Sequence, residues 1–113
     1  MNIPTTYITG REKGKKSFKY KVYNKGNLIG ETDGANIREV DQEVKNIAFN
    51  WASLNGMTGR MLNIYSDKYG ISSLGTSRIR VYKEDGRHKL YYFSVTCKKA
   101  NFDIQFVVEQ IPL

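Results

Sequence analysis

Residues 36–70 read NIREVDQEVKNIAFNWASLNGMTGRMLNIYSDKYG, and this stretch decides the fold of the chain. Apolar residues recur three or four positions apart in its first half: Ile37, Val40, Val44, Ile47, Ala48, Trp51 and Leu54. Asn36 can cap the first turn, Glu39 can return the hydrogen bond, and Asn55-Gly56 is a stop signal. The pattern predicts an amphipathic helix of about five turns.

A strand follows this predicted helix. Residues 61–65 are almost all apolar, which is typical of a strand buried on both faces in the middle of a sheet. Such a strand would carry Asp67 to a loop at its tip. Glu43 on the helix and Asp67 beyond the strand are therefore the first candidate functional carboxylates.

The flanking sequence predicts further strands, joined by polar turns rich in Gly, Asn and Asp. Aromatic and β-branched residues, often alternating with polar ones, mark each strand. Asn24-Lys25-Gly26-Asn27 is a hairpin turn signal, because Asn and Gly accept a positive φ at little cost. The predicted strands cover residues 3–9, 18–23, 28–32, 78–82 and 102–111.

Residues 84–99 fit two secondary structures. A run of aromatic and β-branched residues centred on Phe93, after a possible hairpin turn at Asp85-Gly86, slightly favours a strand. Leu90, Phe93 and Cys97 also fall on one face of a helix. The residues alone leave both possibilities open.

The composition limits the class of protein. The chain has 113 residues, 40% of them hydrophobic, which is enough for one domain over residues 1–113 with one core. No apolar run approaches the length of a membrane span, and residues 1–7 lack the pattern of a signal peptide. A single cysteine, Cys97, excludes an internal disulfide and fits a reducing compartment, so we expect a cytoplasmic protein without a membrane partner.

The formal net charge of +7 favours polyanionic partners, nucleic acid above all. The basic residues form two groups, although lysines on outer strands also serve to block edge-to-edge pairing. Eight tyrosines could stack on bases or simply pack in the core. The candidate nucleic-acid-binding residues are Lys13, Lys15 and Lys16 in the first group, which continues through Lys19, Lys21 and Lys25, and Arg78, Arg80, Lys83, Arg87 and Lys89 in the second.

Several short stretches occur in the order that one known family uses. They read YITG at residues 7–10, KGNLI at 25–29, QEVKN at 42–46 and IYSDKYGI at 64–71. Together with the order of the predicted elements, they resemble ribonuclease H, especially the form found in small bacterial proteins with a viroplasmin-like companion domain.

The resemblance implies an α/β fold, a ribonuclease H-like five-stranded mixed sheet in the order β-β-β-α-β-α-β, with the family's final helix absent. It makes residues 84–99 the second helix, against their propensity, and residues 103–107 the fifth strand. It also makes Glu43 and Asp67 counterparts of catalytic carboxylates. The family's first-strand Asp falls on Thr9, whose hydroxyl is a poor Mg²⁺ ligand, and the family's last carboxylate has no counterpart.

These departures lead us to expect a pseudoenzyme. It would be a non-catalytic ribonuclease H-like module that binds structured nucleic acid, an RNA–DNA hybrid or duplex RNA, through its basic loops and without a cofactor. One alternative is a protein-interaction or homodimerisation module, which would use apolar surface left bare by the missing helix.

The second alternative is a minimal ribonuclease H that depends on a divalent metal ion. Glu43 and Asp67 would hold Mg²⁺ or Mn²⁺ weakly, with a third carboxylate recruited from elsewhere in the chain. His88 receives no catalytic role, because Asp85 is the only obvious carboxylate near it in the sequence. Cys97 receives none because it fits the buried face of the second helix as a small apolar residue. The carboxylates available for recruitment are Glu12, Asp33 and Glu109.

Overall fold

The computed structural model describes residues 17–54, 68, 74–97, 99 and 101–113. In this part of the chain one helix packs on a curled, six-stranded antiparallel sheet with the strand order β2-β1-β6-β5-β3, and β4 also pairs with β5. The elements are β1 (Phe18–Asn24), β2 (Asn27–Gly34), α1 (Ile37–Leu54), β3 (Leu74–Thr76), β4 (Arg80–Asp85), β5 (His88–Cys97) and β6 (Phe102–Pro112). None of the helices described is long and apolar enough to cross a membrane.

The hairpin of β1 and β2 forms where the sequence predicts it. Lys25 and Gly26 occupy the turn with φ values of 49° and 83°. Two consecutive positive φ values define the type I′ turn, whose twist matches that of the flanking strands. The turn signal at residues 24–27 is therefore confirmed.

Helix α1 begins with the predicted cap. The Glu39 backbone N–H donates to Asn36 Oδ1 at 2.9 Å, and Glu39 Oε1 accepts from the Ala35 backbone N–H at 3.3 Å. Val40 and Val44 are buried, and the next buried residues, Ala48 and Ala52, continue the same stripe. The predicted apolar helical face is confirmed, and it lies against the sheet.

Two glycines of β2 let α1 approach the sheet closely. A Cβ added at Gly30 would lie 2.7 Å from Ile47 Cγ2, and one added at Gly34 would collide with a methyl group of Val40. Both approaches would be closer than an ordinary carbon–carbon contact, so any side chain at either position would push the helix away from the sheet.

We expect Gly34→Ala to lower the free energy of unfolding by about 1–3 kcal/mol, the usual cost of overpacking a core. Gly75→Ala is the matched control, because a Cβ at Gly75 meets nothing within 4 Å. Urea unfolding followed by Trp51 fluorescence measures both changes. Equal stability of the two variants would show that the helix does not depend on the close approach at β2.

The second helix predicted over residues 84–99 is wrong. The segment forms the end of β4, a two-residue turn and β5. Tyr91, Phe93 and Val95 are buried on one face and Tyr92 is exposed on the other, which is the alternation of a strand. Aromatic and β-branched side chains lose rotamer freedom in a helix, so the propensity outweighs the helical spacing.

The expected ribonuclease H-like arrangement is not confirmed. Every strand pair in the described residues is antiparallel, whereas the resemblance implied a mixed sheet. The predicted strands over residues 3–9 and 61–65 lie outside the described residues. The α/β class holds in its coarse sense, a helix packed on a sheet, and the predicted last strand is present as β6.

Candidate nucleic-acid interface

The two faces of the sheet have different environments. Tyr20, Val22, Phe93, Phe106 and Val108 belong to the buried core cluster, which also contains the apolar stripe of α1. Successive residues of a strand point to opposite faces, so their sequence neighbours lie on the face away from the helix. We call this second face the open face.

A β-bulge in β4 changes which side chains reach the open face. Arg80 pairs with Tyr92 and Lys83 pairs with Leu90, with a register shift between Val81 and Lys83. Tyr92 and Leu90 are two residues apart, so their partners share one face. In a regular strand Lys83 would face the helix side. The bulge therefore places Lys83 on the open face together with Arg80.

The residue between them, Tyr82, also lies on the open face. Its ring meets the ring of Tyr92 with centroids 5.7 Å apart and planes at 66°. Tyr82 is 52% exposed and Tyr92 is 40% exposed. Large aromatic side chains usually bury most of their surface, so two exposed rings in contact mark a site that merits a functional explanation.

These tyrosines line a groove of about 900 Å³ that opens to solvent. The β1–β2 turn forms one wall and β4 the other, with part of β6 between them. We call it the tyrosine groove. The residues that line it include Lys25, Tyr82, Tyr92, Asp103, Gln105 and Val107.

A buried side chain fixes the wall formed by the turn. Asn24 is buried, and its Nδ2 donates to the backbone carbonyl of Gln105 at 3.0 Å. This bond joins the end of β1 to β6 beside the groove. Lys25, the next residue, is therefore held at the edge of the groove by a turn that is anchored at its base.

Three cations lie in or next to the groove: Lys25 lines it, and Arg80 and Lys83 flank Tyr82 on the open face of β4. Lys25, Arg80 and Lys83 form no ion pair within the described part of the chain, where Asp103 is the acidic residue lining the groove. Another lysine of the open face, Lys19, is paired. Lys19 lies 2.9 Å from Glu31 and 3.3 Å from Asp33, and these hydrogen bonds raise the pKa of its ammonium group.

The other predicted basic residues that the structure describes do not line the groove. Arg87, in the β4–β5 turn, has its guanidinium 4.9 Å from the ring centre of Phe18. Lys89 is 3.4 Å from Glu84. Arg78 is exposed in the segment between β3 and β4. Lys13, Lys15 and Lys16 lie outside the described residues. Of the predicted set, Arg80 and Lys83 lie on the open face of β4 on either side of Tyr82, which lines the groove.

The structure does not describe both predicted catalytic carboxylates, so their placement relative to each other stays a prediction. Glu43 is exposed on α1, while Thr9 and Asp67 lie outside the described residues. Nor do three His, Cys, Asp or Glu side chains converge as a metal site would require anywhere in residues 17–54, 68, 74–97, 99 and 101–113. The nuclease alternative therefore stays a prediction.

One polar cluster on the open face was not predicted from the sequence. Glu109 Oε2 lies 2.7 Å from His88 Nε2, and Glu109 Oε1 accepts a hydrogen bond from the Tyr23 hydroxyl at 3.0 Å. The hydrogen bond from His88 is the main reason that the pKa of the Glu109 carboxyl is lowered. The partner of His88 is thus Glu109 rather than Asp85, because β5 pairs with β6.

The contact between Tyr82 and Tyr92 was not predicted from the sequence either. This contact depends on the pairing of β4 with β5, which no local pattern in the sequence signals. Alternation along β5 was available as a clue, since it separates Tyr92 from the core residues Tyr91 and Phe93. The same alternation buries Cys97, which fits its predicted role as a small apolar residue.

No protein-family model matches the chain, and neither curated proteins nor solved structures gave a match. The chemistry of the tyrosine groove is therefore the main guide to function.

Proposed function

We propose that this protein binds nucleic acid in the tyrosine groove. The observation that carries the proposal is the placement of three cations without ion-pair partners in the described residues, Lys25, Arg80 and Lys83, beside two exposed tyrosine rings. Cations attract the phosphate backbone, and aromatic rings offer faces for bases. The net charge of +7 adds a long-range attraction for any polyanion.

The binding would be largely independent of base sequence. Arg80 and Lys83 belong to β4 at the edge of the sheet, and both have long, flexible side chains. They can therefore follow a phosphate backbone without reading base edges. Binding without cleavage is the activity that these residues support, because the cations hold phosphates and supply neither a nucleophile nor a metal site. The proposal does not depend on a ribonuclease H-like arrangement of the whole chain.

Salt dependence tests the proposal. We would measure fluorescence anisotropy of labelled RNA and DNA oligonucleotides of about 12 nucleotides, a common site size for single-strand binding folds. Three phosphate contacts should give a slope of about −2 in a plot of log affinity against log salt concentration. EDTA should leave the affinity unchanged. Absence of binding at low salt, or binding that salt does not weaken, would contradict the proposal.

An exposed sheet edge supports the second candidate, a protein-interaction module. All six residues of β4 are exposed, and β4 borders the sheet. The same strand carries a bulge and the charges of Arg80, Lys83, Glu84 and Asp85, which oppose pairing with a second copy. Light scattering at low and high salt separates the candidates, because a salt-independent dimer would favour the protein-interaction module.

A further inference from the structure

Resting on the proposed function, we infer that the ligand is single-stranded and that an unpaired base stacks on the tyrosine pair of the groove. Tyr82 and Tyr92 are the contact residues for the base, and the three groove cations hold the adjacent phosphates. The preferred substrate class is therefore single-stranded RNA or DNA, or an unpaired loop, and not a continuous duplex.

The arrangement of the two rings carries this inference. Their planes meet at 66°, so the rings do not stack on each other. Both rings are exposed at 40% or more, which leaves ring surface free for a third flat group. Inside a duplex the faces of each base are covered by neighbouring bases. An unpaired base has faces that are free to lie flat on a protein side chain.

The shape of the site points in the same direction. The groove is recessed between the β1–β2 turn and β4, and its volume of about 900 Å³ lies within the range of pockets that bury small ligands. A base can enter such a recess when it is not held in a helix. Phosphates would remain outside, near Arg80 and Lys25 on opposite walls.

The charge pattern within the groove fixes the orientation of the strand. Asp103 lines the groove on β6, away from Arg80 and Lys83 on β4. Its carboxylate repels phosphate and accepts hydrogen bonds from the amino groups of bases. Gln105, next along the same face of β6, can donate to and accept from base edges. The backbone would therefore run along β4, with base edges directed towards β6.

The experiment compares three labelled probes of equal length on the wild-type protein by fluorescence anisotropy. They are a single-stranded oligonucleotide, the corresponding duplex, and an abasic strand that keeps the phosphates and lacks the bases. We expect the abasic strand to bind about tenfold more weakly than the intact strand, because stacking on an aromatic side chain contributes that much per base. We expect the duplex to bind more weakly than the single strand as well.

Two variants test whether the preference for the intact strand over the abasic strand depends on the tyrosines. Tyr82→Leu/Tyr92→Leu should lose the preference for the intact strand over the abasic strand. Tyr82→Phe/Tyr92→Phe is the matched control, because it keeps both rings and should keep the preference. Circular dichroism checks that each variant is folded. If the double Leu variant fails to fold, Tyr82→Leu alone serves, since Tyr82 is the more exposed of the two.

The outcomes separate this inference from the proposed function. Salt-sensitive binding that is equal for the intact, abasic and duplex probes would overturn the stacking inference and leave nucleic-acid binding in place. Failure of all three probes to bind would overturn both. A preference for the intact strand that persists in the double Leu variant would place the base elsewhere and also overturn the inference.

Discussion

Replacing the three groove cations together, as Lys25→Asn/Arg80→Gln/Lys83→Gln, is expected to weaken nucleic-acid binding about 100-fold. Each exposed phosphate contact contributes about 1 kcal/mol after solvent screening, and about 1.4 kcal/mol corresponds to a tenfold change in affinity. The slope of log affinity against log salt concentration should become less steep by about 2 for a single strand. Anisotropy titrations at several salt concentrations measure both quantities.

The substitutions are chosen to leave the fold intact. Lys25 has a φ of 49° in a type I′ turn, and Asn followed by Gly is the favoured sequence for that turn. Lys25→Asn therefore removes the charge while keeping the turn. Arg80 and Lys83 are exposed, so glutamine in their place costs little stability.

A matched pair of single variants controls for net charge. Arg38→Gln removes the same charge as Arg80→Gln, but from the exposed side of α1. Arg80→Gln should weaken binding clearly, and Arg38→Gln should have little effect beyond the change in net charge. Equal losses for the two variants would mean that the ligand senses the overall charge of the protein and not the groove.

The largest loss of stability is expected from Gln110→Leu. Gln110 is 4% exposed, and its Oε1 accepts hydrogen bonds from the Tyr20 hydroxyl at 2.7 Å and the Tyr91 hydroxyl at 3.2 Å. Its Nε2 donates to the Arg87 backbone carbonyl at 2.9 Å. Burial raises the pKa of both tyrosines, so their hydroxyls remain neutral donors that need an acceptor.

Gln110→Leu leaves these donors without a partner in the described core. Each buried unsatisfied group costs about 1–3 kcal/mol, so we expect the free energy of unfolding to fall by about 3 kcal/mol. That loss is a large part of the stability of a small domain. Urea unfolding followed by circular dichroism measures it.

A combined variant tests the reason for the loss. Tyr20→Phe/Tyr91→Phe/Gln110→Leu removes the two hydroxyls together with their acceptor. Replacing both partners by apolar groups is far less costly than removing one. We expect the combined variant to be more stable than Gln110→Leu by about 1 kcal/mol or more. If it is less stable, packing and not hydrogen bonding explains the role of Gln110.

The elements that could be predicted from sequence are those with local causes. The turn at Lys25-Gly26 follows from the residues in it, and the start of α1 follows from Asn36 and Glu39. The helical face follows from the spacing of Val40 and Val44. In each case the stabilising contacts lie within a few residues, so the sequence pattern contains them.

Strand β5 shows how a resemblance can mislead. Its aromatic and β-branched residues favoured a strand. Asp85-Gly86 signalled the two-residue turn that precedes it, in which Gly86 has a φ of 63°. The resemblance to ribonuclease H replaced that interpretation with a helix. The apolar residues of β5 lie on both faces, because Leu90 and Tyr92 are on the open face, and this blurred the alternation.

The candidate site depends on contacts that no local pattern records. Lys83 reaches the open face because β4 is bulged where it pairs with β5. Glu109 meets His88 because β5 pairs with β6, a choice made by the whole sheet. The sequence could identify Arg80 and Lys83 as basic candidates, but the register that pairs Arg80 with Tyr92 and Lys83 with Leu90 is a property of the folded chain.

Mapping the ligand on the protein tests the central claim most directly. A ¹⁵N-labelled sample would be titrated with a single-stranded oligonucleotide, and the shifts of the backbone amide signals would be followed by NMR. We expect the largest shifts at Lys25, Tyr82, Tyr92 and Val107, with little change near Arg38 on the exposed side of α1. Saturable binding whose shifts fall on α1 and spare the groove would contradict the claim that nucleic acid binds on the open face.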